Sequence, residues 1–266
     1  MQKIITFATI LFSITLFVSS CAKKTGCKDP LALNFDPEVE VANGTCTYPT
    51  LSLDISYKMG NLPFEINRIY TVDSSIIAFR TLQFYLSEFS LSKADNSLHT
   101  FEDSYILGNG LPSFKDSLGE IFVEDYSEFS CLLGVDEATN NQLNANLSSK
   151  SSSHPLGVKS PAMHWTNPAE YIFLQIKGKV DVNGDGIPSD NEDFVYEIGT
   201  NALLQSLSFP INKTFRDAQN TIALEIDVEQ LVKGVDIKSE RFTHSTDDFA
   251  LASKIANNIV DAVKLK

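Results

Sequence analysis

Histidine occurs only four times, methionine three times and tryptophan once in this chain of 266 residues. Basic residues are outnumbered, 21 against 34 acidic ones, and the formal net charge is −13. A surface of that sign repels a phosphate backbone, which excludes nucleic acid as a partner, while its carboxylates suit cations. Beyond Val18 no apolar run approaches the ~20 residues that a membrane-spanning helix needs. Neither a G-x-S-x-G turn nor an H-E-x-x-H pair occurs, and the scattered histidines suggest no acid–base pair. The chain reads as non-enzymatic.

What is present begins at the N-terminus. Met1-Gln2-Lys3, a largely apolar run from Ile4 to Val18 and Ser19-Ser20-Cys21 have the layout of a secretory signal. Phe17-Val18-Ser19-Ser20-Cys21 resembles a lipobox, with Phe17 where leucine is usual. The expectation is a signal over residues 1–20, acylation of Cys21, and a lipid-held tether over 21–26. Each buried acyl methylene contributes ~0.8 kcal/mol, so several chains make a durable membrane anchor. The tether residues Ala22-Lys23-Lys24 carry no acid, which points to an outer-membrane lipoprotein facing the periplasm.

Export places the remaining cysteines where disulfides persist. Cys27 and Cys46 flank a segment rich in Pro, Asn and Asp and are expected to pair, for ~3 kcal/mol in the chain-entropy model. Residues 27–48 resemble a small stapled module of secreted envelope proteins, C-x-D-P-x-A-x-N-F-D-P followed by N-G-x-C-x-Y. Asp29 and Asp36 could hold a cation there, but a scaffold built on Asx turns is the expected role. Cys131 alternates with Phe129, Leu133 and Val135, which reads as a buried, inert thiol.

Period-two alternation marks strands at Leu51–Tyr57, Leu82–Leu86, Phe129–Val135 and Ile222–Val228, and Tyr171–Val180 is apolar enough for a central strand. Gly, Pro, Asn and Ser clusters separate them. The predicted fold is all-β over residues 49–266: an antiparallel β-sandwich closed by a C-terminal helix. Ser245 or Thr246 can cap that helix, and Phe249, Ala252, Ile255, Ile259 and Val263 line its inner face. His99 and His154 fall in polar loops and carry no signal.

The clearest chemistry lies in Asp181-Val-Asn-Gly-Asp-Gly-Ile-Pro-Ser-Asp-Asn-Glu192, which fits D-x-N-x-D-G-x5-E without a gap. Asp181, Asn183 and Asp185 offer oxygens at alternate positions, and Gly186 permits the turn. Ile187 offers its carbonyl, Ser189 acts directly or through water, and Glu192 closes the site. Hard oxygen donors in this number predict calcium. The flanks read as strands, so the loop is expected to brace a long β-hairpin.

From Leu51 onward the chain also resembles the MbnP-like family. The pieces are Thr81-Leu-Gln-Phe-Tyr-Leu-Ser-Glu-Phe-Ser-Leu91, Phe129-Ser-Cys-Leu-Leu-Gly-Val-Asp136 with Asn140, Met163-His-Trp-Thr166 with Tyr171–Gly178, Phe194–Gly199 and Ala252–Asn258. The resemblance implies a secreted β-sandwich that handles copper beside a di-haem peroxidase-like partner, with the metal held by histidines and an oxidised tryptophan. Carried onto this chain it points to His164, Trp165 and His244 as copper ligands. Three positions depart from the pattern: Asn167 stands for a second tryptophan, Glu170 for a glycine and Glu197 for a histidine. A carboxylate at 197 suits Cu(I) less than the imidazole it replaces. The competing reading is a calcium-stabilised module, for a protein or glycan partner, that has lost the copper site.

Overall fold

Alternation of apolar and polar residues builds the two large sheets of the molecule. In the computed structural model, which describes residues 23–110 and 113–266, strand β1 (Thr50–Met59) buries Leu51, Leu53, Ile55, Tyr57 and Met59 and leaves the residues between them half-exposed. The signal segment and Cys21 lie outside the described residues. After β1 come β2 (Ser75–Ser92), β3 (Ser113–Glu120), β4 (Asp125–Leu133), β5 (Ile172–Val180), β6 (Asp193–Gly199), β7 (Gln205–Thr214) and β8 (Gln219–Asp227).

Among the described residues the larger sheet has nine strands and runs β7-β4-β2-β5-β6, with the short strand Phe242–Thr243 beyond β6 and three further short strands on β2. The smaller has five, with β8, β1 and β3 as its body. The expected all-β sandwich is therefore present. Most pairs are antiparallel, but β1 and β8, far apart in sequence, pair in parallel from Thr50↔Gln219 to Lys58↔Asp227. Periodicity gives a strand its faces but not the direction of its neighbour, so this pairing was not legible beforehand.

One core cluster draws Leu53, Phe79, Phe129, Ile176 and Leu224 from the two sheets and Ile255 and Ile259 from the C-terminal helix Phe249–Ala262. That helix is capped by Asp248, whose side chain accepts from the Leu251 amide at 3.0 Å, not by Ser245 or Thr246. Ser245 is instead buried, its hydroxyl accepting from the Gly199 amide at 2.7 Å, and Phe249 faces outward. Short helical turns at Glu137–Asn140, Leu143–Ser149 and Val228–Leu231 interrupt the expected all-strand order. The last ends β8 at Asp227, whose carboxylate accepts from the Glu229 amide.

Tyr171 and Phe173 of the β5 region pack into a second cluster, on the side of β5 opposite Leu174 and Ile176. It contains Tyr85, Val135, Leu156 and Met163, with Trp165 packed on it. Tyr85 and Tyr171 donate to the carbonyls of Pro155 and Leu156, at 3.0 and 2.7 Å, and so pin the loop between β4 and β5 onto the sheet. Cys131 is buried and free, and burial pushes its thiol up to about 12. His99 sits in the short strand Leu98–Thr100, edge-on to Phe101 and Phe122, rather than in a polar loop.

At the N-terminus Cys27 and Cys46 form the expected disulfide. Asp29 accepts from the Leu31 amide and the Tyr48 hydroxyl, while Asp36 accepts from the Glu38 amide and pairs with Lys24. Each carboxylate is spent on the module's own turns.

Candidate functional site

The β5–β6 hairpin carries a candidate site at each end. At its turn, residues 181–192 fold back on themselves. Asp181 is buried, 2% exposed, and its oxygens accept from the amides of Gly184 at 2.7 Å, Asp185 at 3.2 Å and Gly186 at 3.0 Å. Asn183 accepts from the Asp185 amide at 2.8 Å, and Asp185 from that of Ile187 at 2.9 Å. Glu192 accepts from the amides of Val182 and Asn183 on one oxygen, and from the Ser189 amide and hydroxyl on the other. The Ser189 bonds hold the Glu192 carboxyl below its ordinary value. Gly184 and Gly186 take positive φ of 82° and 88°, backbone that favours glycine. Lys179 at the end of β5 pairs with Asp190 of the loop. The flanks are strands, as expected, and the oxygens of Asp181, Asn183, Asp185 and Glu192 share one closed turn.

The other end is organised by Glu197 of β6. Cross-strand register sets Gln175 of β5 directly opposite it, and Lys177 lies two residues further along the same face. Lys177 Nζ donates to Glu197 Oε1 at 2.8 Å and Gln175 Nε2 to the same oxygen at 3.0 Å. Trp165 Nε1 donates to Oε2 at 2.9 Å, and His244 Nε2 stands 3.8 Å from that oxygen. Burial pushes the Glu197 carboxyl up, but the Lys177 and Trp165 hydrogen bonds outweigh it, so the group stays below its ordinary value. His244 is fixed in turn by Asp247, which contacts its Nδ1 at 3.0 Å and accepts from its backbone amide at 2.6 Å. Trp165 is held in place by its own amide, which donates to the Glu170 carbonyl, and by Gly199, where any Cβ would lie 2.6 Å from the indole Cζ3.

Trp165 and His244, with Asn167, Pro168 and Thr246, line a cleft of about 240 Å³. His164 does not line it. It bridges to Tyr171 in extended backbone, where consecutive side chains leave on opposite sides. Of the three expected copper ligands, Trp165 and His244 line this cleft, and His164 is not among its lining residues. Among the described residues no group of three or more His, Cys, Asp or Glu side chains is gathered as a metal cage. A larger cleft of about 470 Å³, lined by Glu88, Phe101, Asp103, Tyr105 and Asp136, shares no residue with either end of the hairpin.

Lys177 and Gln175 went unread in the sequence because they sit inside an apolar run. Their i, i+2 spacing was the available signal, since one face of that run is polar.

Fold and site define a disulfide-stapled, all-β protein whose central hairpin carries a hard-oxygen loop at one end and an indole–carboxylate–imidazole cluster at the other. The sequence profile of the MbnP family matches residues 48–248, and the chain belongs to that family. The match begins at Tyr48, the last residue of the stapled module. MbnP from Methylosinus trichosporium is similar in structure, with a TM-score of 0.49 and 11% identity over 72% of this chain and 80% of that one. No curated protein matches. Membership in a copper-related family supports a metal-associated role.

Proposed function

We propose that this chain is a lipid-anchored, non-enzymatic protein of the cell envelope whose metal is calcium, held by the loop 181–192. The observation that carries the reading is the buried Asp181 carboxylate, clasped by three loop amides at the start of a turn whose other donors are Asn183, Asp185 and Glu192. Donors of that chemistry fit a hard cation. Calcium would offset the mutual repulsion of the acids and brace the β5–β6 hairpin. Glu192 would have to give up amide bonds to join it, which is consistent with the modest affinity of extracellular calcium modules, about 10⁻⁴–10⁻³ M.

Family membership favours a second reading, copper handling at Trp165 and His244 next to a di-haem peroxidase-like partner. The donor set does not fit it. A soft ion needs further nitrogen or sulfur ligands, and the described residues place only a lysine-bound carboxylate there.

The test is thermal unfolding of the metal-free protein with added calcium. At a hundredfold excess over the dissociation constant, binding contributes ~2.7 kcal/mol, or roughly 5–10 °C in a domain of this size. The shift should vanish in Asp181→Asn. An unfolding temperature indifferent to calcium would remove the reading. Membrane anchoring is checked separately, by phase partition into detergent of the native protein against Cys21→Ser.

A further inference from the structure

The carboxylate of Glu197 is nearly enclosed, with its side chain 10% exposed, and donors already surround it. A carboxylate offers about four acceptor positions. Lys177 and Gln175 take those on Oε1, and Trp165 takes one on Oε2. His244 Nε2 lies 3.8 Å from Oε2, beyond hydrogen-bond reach. Asp247 fixes that ring from its other nitrogen, as carboxylates do behind metal-binding histidines. A buried anion, a ring nitrogen pointed at it and a supporting carboxylate would together suit a divalent cation, were the anion's charge not already met. It is met by the ammonium of Lys177.

We propose that Lys177 is the resident cation of this site: it takes the electrostatic place of a metal ion on Glu197 and thereby closes the Trp165–His244 cleft to copper. The charge arithmetic is simple. With Lys177 present, the Glu197–Lys177 pair is neutral, and Asp247, behind the His244 ring, is left as the carboxylate that an incoming dication meets. Without it, a desolvated carboxylate faces an oriented imidazole with no counter-ion. Removing one member of a buried pair leaves a charge that strongly favours any available partner. Cu²⁺, for which imidazole and carboxylate are acceptable donors, is such a partner. The indole bond to Oε2 survives the exchange, so the chain's single tryptophan lies beside the ion and reports it.

Intact protein is titrated with Cu²⁺ alone while Trp165 emission is followed, and bound copper is characterised by electron paramagnetic resonance. In the wild type, quenching should need as much copper as in His244→Ala, which is the adventitious level. In Lys177→Met, quenching should begin at a copper concentration at least tenfold lower, and Lys177→Met/His244→Ala should abolish the gain. Lys177→Gln keeps a donor to Glu197 but removes the charge, and should behave like Lys177→Met. It serves if the methionine variant folds poorly. One-to-one, His244-dependent copper binding by the wild type would overturn the proposal. So would a folded Lys177→Gln whose titration matches the wild type. Calcium titration of the 181–192 loop in the same variants should be unchanged, so failure here is distinguishable from failure of the calcium reading.

Discussion

The two ends of the β5–β6 hairpin hold acidic side chains in contrasting circumstances. At the turn, Asp181, Asn183, Asp185 and Glu192 come from one stretch of twelve loop positions and are held by that loop's own amides. At the far end, Glu197 is held by side chains from three separate places: the β4–β5 loop, β5 and, across 3.8 Å, the segment before the C-terminal helix. Among the described residues no cation pairs with the first group, and nearby Lys179 is spent on Asp190. The second has one built in. An acidic site without an internal cation is open to an external one, and a site with its charge already met is not.

Substitutions at the cluster should produce the largest effects. Glu197→Ala removes one member of a mostly buried pair and leaves Gln175 and the Trp165 N–H without their acceptor. A loss of about 2–4 kcal/mol is expected, at the lower end because Lys177 can reach solvent. Chemical denaturation measures it, and a loss below 0.5 kcal/mol would mean that the cluster does not hold this end of the hairpin together. At the same end lies Gly199→Val, whose Cβ would lie 2.6 Å from Trp165 Cζ3 and 2.7 Å from the Tyr171 carbonyl. It should lose about 1–3 kcal/mol and shift Trp165 emission to longer wavelength as the indole is pushed outward. An unchanged spectrum would argue against that packing.

At the loop, Asp181→Asn should cancel calcium stabilisation of about 2–3 kcal/mol at saturating metal, while leaving the copper titration of the far end untouched. The smallest effect concerns acid. Glu197 has its folded pKa held below the ordinary 4.5, so its contribution is fully present above about pH 4.5 and is lost as pH falls through the folded value. Unfolding free energy measured from pH 7 to pH 3 should therefore decline less steeply in Glu197→Gln than in the wild type. Parallel curves would contradict the direction of the shift.

The same contrast explains what could be read from the sequence. The loop was legible because its donors are contiguous and their spacing is fixed by backbone geometry. So were the disulfide, the buried Cys131, the strand faces of β1 and β8 and the helix that completes the core. The family resemblance over the sandwich stands, and it named His164, Trp165, His244 and Glu197 as positions to watch. The cluster itself was not legible. Gln175 and Lys177 were hidden in an apolar strand, and only the register of β5 against β6 sets them beside Glu197. His164 neighbours Trp165 in sequence, but the cleft that Trp165 shares with His244 does not include it among its lining residues. Ser245 looked like a cap because its residue type suits one, yet the fold uses its hydroxyl to fasten β6, and Asp248 caps the helix.

The most direct measurement is anomalous diffraction from crystals of the intact protein equilibrated with calcium and copper together. The account predicts a calcium ion among Asp181, Asn183, Asp185 and Glu192, and no copper peak between Trp165 and His244, with Lys177 on Glu197. A copper peak beside His244, over a 181–192 loop without calcium, would contradict it.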